Sequence, residues 1–141
     1  MPMYSSESAA REIASALTPG LAALDPVMLT AIRETVANAE EAAWRRVVAR
    51  RVRAVAPGPY DVAEFTAVET KYGYAHDDFS DRNVLLFAKG QGDPNECVDL
   101  DDAELTQALG ALSELLRPNE RAELSVDLDQ PERRIRCHRV S

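Results

Sequence analysis

The sequence predicts an α+β protein: an N-terminal helical pair with one long helix, then an antiparallel sheet of about four strands built from two hairpins, with a helix between the hairpins. Three observations carry this. Apolar residues recur at three- and four-residue spacing from Leu29 to Val47 and again from Leu105 to Leu116, the period of a helix with one buried face. After Pro59 and again after Pro118 the period shortens and Val, Thr, Phe and Leu gather in short runs, as in half-buried strands. Breaks rich in Pro and Gly, TPG at 18–20, PGP at 57–59 and GQGDPNE at 90–96, separate these segments. The resulting order is α-α-β-β-α-β-β, a sheet with helices on one face.

Each element has its own local signals. Ser5 or Ser6 can cap the first helix, which the TPG break should end at about Leu17. Asp25-Pro26 restarts the chain, because Asp accepts from the orphan N–H groups of a first turn and Pro lacks the donor that would be wasted there. From there to Ala56 the chain reads as one helix, roughly 45 Å long at ~1.5 Å per residue. Its apolar stripe is Leu29, Ile32, Val36, Ala39, Ala43 and Val47, widened toward the C-terminal end by Trp44, Val48, Val52 and Val55. Trp44, Val48 and Val52 are the residues expected to serve helix packing or dimer formation.

Residues 62–74 and 83–90 form the expected first hairpin, with YGYAHDDFSDRN at 72–83 as its loop. Asp101 reads as the N-cap of the next helix, with Glu104 completing a capping box and Pro118 following its end. In AELSVDLDQPERRIRCHRV a four-residue loop at 129–132 sets Val126 opposite Ile135 and Leu124 opposite Cys137. That register puts Leu124, Val126, Ile135 and Cys137 on the buried face and Asp127 across from Arg134 on the other.

The 141 residues fit a single domain, 1–141, with a helical part at 1–57 and a ββαββ part at 60–140. No apolar run approaches the roughly 20 residues that span a bilayer. MPMYSSESAARE lacks the basic start and apolar core of a secretory leader. Two cysteines, Cys97 and Cys137, are no disulfide framework, and a reducing, cytoplasmic setting is expected.

Charge is unevenly placed. Residues 1–57 carry seven Arg against six acids, residues 58–130 carry seventeen acids against five basic residues, and residues 131–141 carry four Arg against Glu132. A middle segment of net charge −12 repels nucleic acid and anionic membranes, both polyanions, and attracts a basic partner.

Candidate sites are few. YGYAHDDFSDRN offers His76, Asp77, Asp78 and Asp81, but zinc prefers nitrogen and sulfur ligands, and no nucleophile or oxyanion donor stands beside the carboxylates. Asp, Ser and Asn are also what a turn requires. DPNECVDLDDAE matches the ligand spacing of a calcium loop until position six, where Val98 replaces the obligatory Gly. RRVVARRVR places Arg45, Arg46, Arg50, Arg51 and Arg53 on the long helix, where they could grip phosphates or an anionic partner, or lie along apolar surface near a helix end that favours cations. Glu41 stands four residues before Arg45, a favourable spacing. Strand alternation sends Cys137 and His138 to opposite faces. No phosphate loop, GxSxG elbow or CxxC is present, so no metal, no cofactor and no catalytic residue is expected.

The layout from VAEFTAVETKYGY to RRIRCHRV, a hairpin with aromatics, an acidic loop, a leucine-rich helix and a final hairpin, resembles the YezG-like immunity proteins of bacterial polymorphic toxin systems. The resemblance implies a protein that binds and neutralises a toxin, and carries over no individual residue. Residues and resemblance together lead to a non-catalytic, cytoplasmic, acidic protein that neutralises or escorts a basic protein partner through Asp77, Asp78, Asp81, Asp99 and Asp102. The alternatives are an adaptor that self-associates as a homodimer through its long helix, and a small enzyme with a site between helix and sheet.

Overall fold

In the computed structural model, which describes residues 6–68, 77–88, 90, 93–94, 96–118 and 122–135, two helices precede a five-stranded antiparallel sheet. The chain forms two compact units that divide between Ala37 and Asn38, inside the second helix rather than at PGP.

The first unit holds α1 (Ser6–Ala22) and the start of α2 (Pro26–Val55). Helix α1 runs through TPG, with Pro19 inside it, instead of ending at Leu17. Pro19 removes one backbone donor, and the Thr18 hydroxyl donates to the Ala14 carbonyl at 2.8 Å in the same turn. The break comes three residues later, where Ala23 and Leu24 close tight turns onto Gly20 and Leu21. Asp25 then caps α2 as the sequence predicts, accepting from the Met28 N–H at 2.9 Å.

The second unit is built on β1 (Tyr60–Val68), which pairs on one edge with β5 (Glu123–Asp127) and on the other with β3 (Val84–Ala88). A two-residue strand, β2 (Asp78–Phe79), continues the line of β3 along β1. From Glu64 to Ala67 β1 advances three positions while its partner runs six, from Leu85 back to Phe79. The surplus, around Ser80–Asn83, is looped out, and Asn83 takes a left-handed φ of 54° there. The first hairpin therefore has the expected partners; β1 starts two residues before the expected 62 and β3 one residue after the expected 83, while 69–74 and 89, where the expected strands continue, lie outside the described residues. The tip of its loop, His76 included, lies outside the described residues.

GQGDPNE is not only a turn. It leads into a fifth strand, β4 (Glu96–Val98), that pairs with β3 and forms an edge of the sheet. Helix α3 (Ala103–Leu116) begins one residue later than Asp101 suggests. Asp102 is the N-cap, accepting from Leu105 N–H at 2.9 Å, and Asp101 sits before it with φ of 43°. Glu104 is then one position short of a capping box and goes to arginines instead.

Alternation on the sheet sorts the core. Ala63, Phe65, Val84, Leu86, Leu124 and Val126 face α2 and α3, where Val48, Val52, Leu105, Leu109 and Leu112 meet them. Val62, Leu85 and Phe87 form a second cluster, and Ile135 packs against it. The buried positions of α2 are Glu41, Arg45, Val48, Ala49 and Val52, not the Leu29–Val47 stripe. Leu29, Ile32 and Val36 are exposed, and Val47 and Trp44 are only half-buried beside the core. The sequence offers two apolar sets on one helix, and the sheet selects the C-terminal one.

The second hairpin is shifted by one residue. Val126 bridges Arg134, not Ile135. A slip of one exchanges the faces, so Ile135 joins the second cluster while Leu124 and Val126 stay in the main core. Cys137 and His138 lie outside the described residues.

Candidate functional site

Charge in the second unit falls into two zones. In the first, arginines of α2 meet carboxylates far away in sequence. Arg45 Nε donates to Glu41 Oε2 at 2.9 Å and its Nη1 to the Ser125 carbonyl at 3.1 Å, while Arg134 Nε reaches the same Glu41 oxygen at 3.0 Å. Glu41 and Arg45 are buried, which only pairing makes tolerable. Arg51 grips Asp102 with two bonds, at 2.8 and 2.9 Å. Arg50 pairs with Glu104, Arg46 with Glu132 and Arg53 with Asp129. All five arginines of RRVVARRVR are thus in ion pairs within the chain, which leaves the phosphate-gripping role without free guanidinium groups.

The Arg51 guanidinium and the Leu105 N–H hold the Asp102 carboxyl below its ordinary range. Burial pushes Asp127 upward, but the Gln130 N–H, the Arg133 guanidinium and the Asp129 N–H together outweigh it, and the net direction is down. Asp127 pairs with Arg133, one residue before the Arg134 that the expected register opposes to it.

The second zone lies on the β4 edge and the turns around it. The Asp81 carboxylate accepts from the Thr106 hydroxyl at 3.2 Å and its carbonyl from Leu100 N–H at 3.0 Å. Asp99 Oδ1 accepts from Asn83 N–H at 2.9 Å. These bonds tie the looped-out 80–83 segment to the strand-to-helix turn, so Asp81, Asp99 and Asp101 share one end of the sheet. Glu96 lies on β4 itself and hydrogen-bonds the Tyr60 side chain, whose hydroxyl pKa is raised first by burial and then by that bond. Asp78 and Asp93 are exposed. Among the described residues, no arginine or lysine forms an ion pair with Asp78, Asp81, Asp93, Glu96, Asp99 or Asp101.

Of the five carboxylates expected to meet a partner, Asp78, Asp81 and Asp99 belong to this zone. Asp102 belongs to the arginine network and caps α3. Asp77 is half-buried, and its N–H donates to the Pro118 carbonyl at 3.1 Å. Val48 and Val52 serve helix packing, fully buried against the chain's own sheet, with Trp44 half-buried beside them. Sequence reasoning missed Glu96 and Asp101, and it missed Arg134 as a partner of Glu41. The last had no local signal, since 93 residues separate the pair.

The described residues contain no group of three or more His, Cys, Asp or Glu side chains placed to hold a metal ion. No described helix is long and apolar enough to cross a membrane. Comparison of the chain with protein-family models, with curated proteins and with solved structures finds no match, so its reading rests on its own geometry.

Proposed function

We propose that this protein is a non-catalytic binding protein whose acidic β4 edge takes a basic polypeptide partner. The observation that carries the reading is the sorting of carboxylates. Those within reach of α2 and the segment 129–134 are neutralised by arginine, whereas among the described residues no arginine pairs with Asp78, Asp81, Asp93, Glu96, Asp99 or Asp101. Residues 77–101 contain seven acids against Arg82 and Lys89. A field of one sign on an exposed edge speeds encounter with a cationic surface, and such rim charges act mainly on the association rate. The layout similarity to YezG-like immunity proteins makes a cationic toxin the sharpest form of the partner. A cytoplasmic setting goes with this reading and is supported by the free, exposed thiol of Cys97.

The test is capture of the partner from the host with the tagged full chain, followed by association kinetics over a range of ionic strengths. The association rate should fall as salt rises, because a Debye length of ~10 Å at 0.1 M screens exposed charges. The combined variant Asp78→Lys, Asp93→Lys should bind more slowly while unfolding at a nearly unchanged denaturant midpoint, because both side chains are exposed. Affinity indifferent to both salt and this reversal would sink the reading.

A further inference from the structure

The sheet of the second unit has edges that the chain itself plugs and one that it leaves open. Hydrogen bonding in an antiparallel ladder alternates, so each residue of an edge strand points its N–H and C=O either at its partner or away from the sheet. Along β1 the odd residues bond toward β5: Leu128 N–H donates to the Asp61 carbonyl and Ala67 N–H to the Ala122 carbonyl, both at 2.8 Å. The even residues bond the other way, as with Ser80 N–H on the Thr66 carbonyl at 3.1 Å. Leu85, opposite Glu64, therefore bonds β1. Its neighbours Val84 and Leu86 bond β4, where they stand opposite Val98 and Glu96. Cys97, opposite Leu85, is left with its N–H and C=O directed outward.

Elsewhere in the sheet such outward groups are taken. On β2 the Phe79 N–H donates to the Ser113 hydroxyl at 2.9 Å. On β5 the Ser125 carbonyl accepts from Arg45 at 3.1 Å, and Val126 bridges Arg134. Among the described residues nothing bonds the outward main chain of Cys97, and both Glu96 and Cys97 are exposed.

We propose that the basic partner adds an extended segment to β4 as a further strand, pairing with the main chain of Cys97. This mode of docking rests on the acidic-edge reading above and gives it a geometry: backbone bonds hold the segment, and its side chains are selected by charge. Residues directly opposite across an antiparallel pair stand about 5 Å apart, so a lysine or arginine next to the pairing residue comes beside Glu96. The next basic residue along comes toward Asp99, just past the end of β4. The same carboxylates disfavour a second copy on this edge, because self-pairing sets like charges against each other.

Titration calorimetry at low salt tests it, with a short synthetic peptide of alternating lysine and valine as the probe. Beside it stands the same peptide N-methylated at every backbone amide, which keeps its charge and donates no main-chain bond. The unmodified peptide should bind about tenfold more tightly than the methylated one, the loss expected when main-chain bonds go unmade. Cys97→Pro should weaken the unmodified peptide by a similar factor, because it removes the outward donor. Its denaturant midpoint should be nearly unchanged, since that N–H serves no bond within the sheet and proline is tolerated on the outer side of an edge strand. Cys97→Ser should bind as the wild type does. Equal affinity for the two peptides overturns strand addition, and that comparison decides the matter should the proline variant unfold. A folded Cys97→Pro that binds like wild type overturns it as well. If Asp78→Lys, Asp93→Lys still weakens binding in either case, the acidic-edge reading stands without strand addition; no binding of either peptide overturns both. A chain that self-associates until Cys97→Pro is introduced would give the edge to a second copy and overturn the proposal equally.

Discussion

The Arg45 guanidinium lies 2.9 Å from the Glu41 carboxylate across one turn of α2, with each side chain only 7% exposed. Arg134 closes on the same carboxylate from the segment after β5. Removing Glu41 leaves the buried Arg45 charge with only the Ser125 carbonyl, whereas removing Arg45 leaves Glu41 its Arg134 partner. Glu41→Ala should therefore cost about 3–5 kcal/mol and Arg45→Met less, whereas replacing both with apolar residues of similar size should recover most of the Glu41→Ala loss. Urea unfolding of the two single variants and the double variant checks this. A double variant as unstable as the sum of the singles would show that the network does more than satisfy its own charges.

Asp102 and Asp127 are both held below the ordinary carboxyl value of 3.8 in the folded chain. The unfolded chain binds their protons more tightly, so the stability they contribute is fully present above about pH 4. It is lost as pH falls through the lowered folded values. Acid titration of the unfolding midpoint should show this loss below pH 4, and Asp102→Asn should shrink it. Asn keeps the cap on Leu105 N–H but gives up the charge pair with Arg51. Asp102→Ala should lower the midpoint further than Asp101→Ala, because only Asp102 caps the helix. An equal effect at the two positions would contradict the cap assignment.

Arg117 ends α3 with φ of 44° and ψ of 62°, its N–H donating to the Ser113 carbonyl at 2.8 Å. Glycine adopts this left-handed geometry without the Cβ penalty, so Arg117→Gly should stabilise the chain by about 0.5–1 kcal/mol. Gly90→Ala runs the opposite way. Its φ is 77° with open space around it, so backbone strain alone should destabilise by about 1 kcal/mol. Thermal unfolding of both variants should give shifts of opposite sign.

Phe87 is fully buried on the second face of the sheet, where Ile135 packs against its cluster. Phe87→Ala should cost about 3–5 kcal/mol, and the half-buried Ile135→Ala less. A double-mutant cycle should give a coupling of ~0.5 kcal/mol or more between Phe87 and Ile135 and none between Ile135 and Leu124. The reverse pattern would restore the register in which Val126 faces Ile135.

The sequence by itself determined whatever short-range chemistry decides. The Asp25-Pro26 restart, the Leu105–Leu112 face of α3, the burial of Leu124 and Val126 on one side of β5 and the partners of the first hairpin all follow from caps, periods and turn residues within a few positions. Only the tertiary structure decided which apolar set on α2 is buried, because the Leu29–Val47 series and the Val48–Val52 set are equally good helix faces until a sheet lies against one of them. It likewise decided the one-residue register at Val126, where Asp127 takes Arg133 and the buried Glu41 takes Arg134. The candidate site was legible in part. Carboxylate density is a property of composition, but which carboxylates stay unneutralised depends on arginines 51 to 93 residues away, such as Arg51 for Asp102 and Arg134 for Glu41. Ion pairing acts through space, and a linear pattern holds no record of it beyond one helical turn.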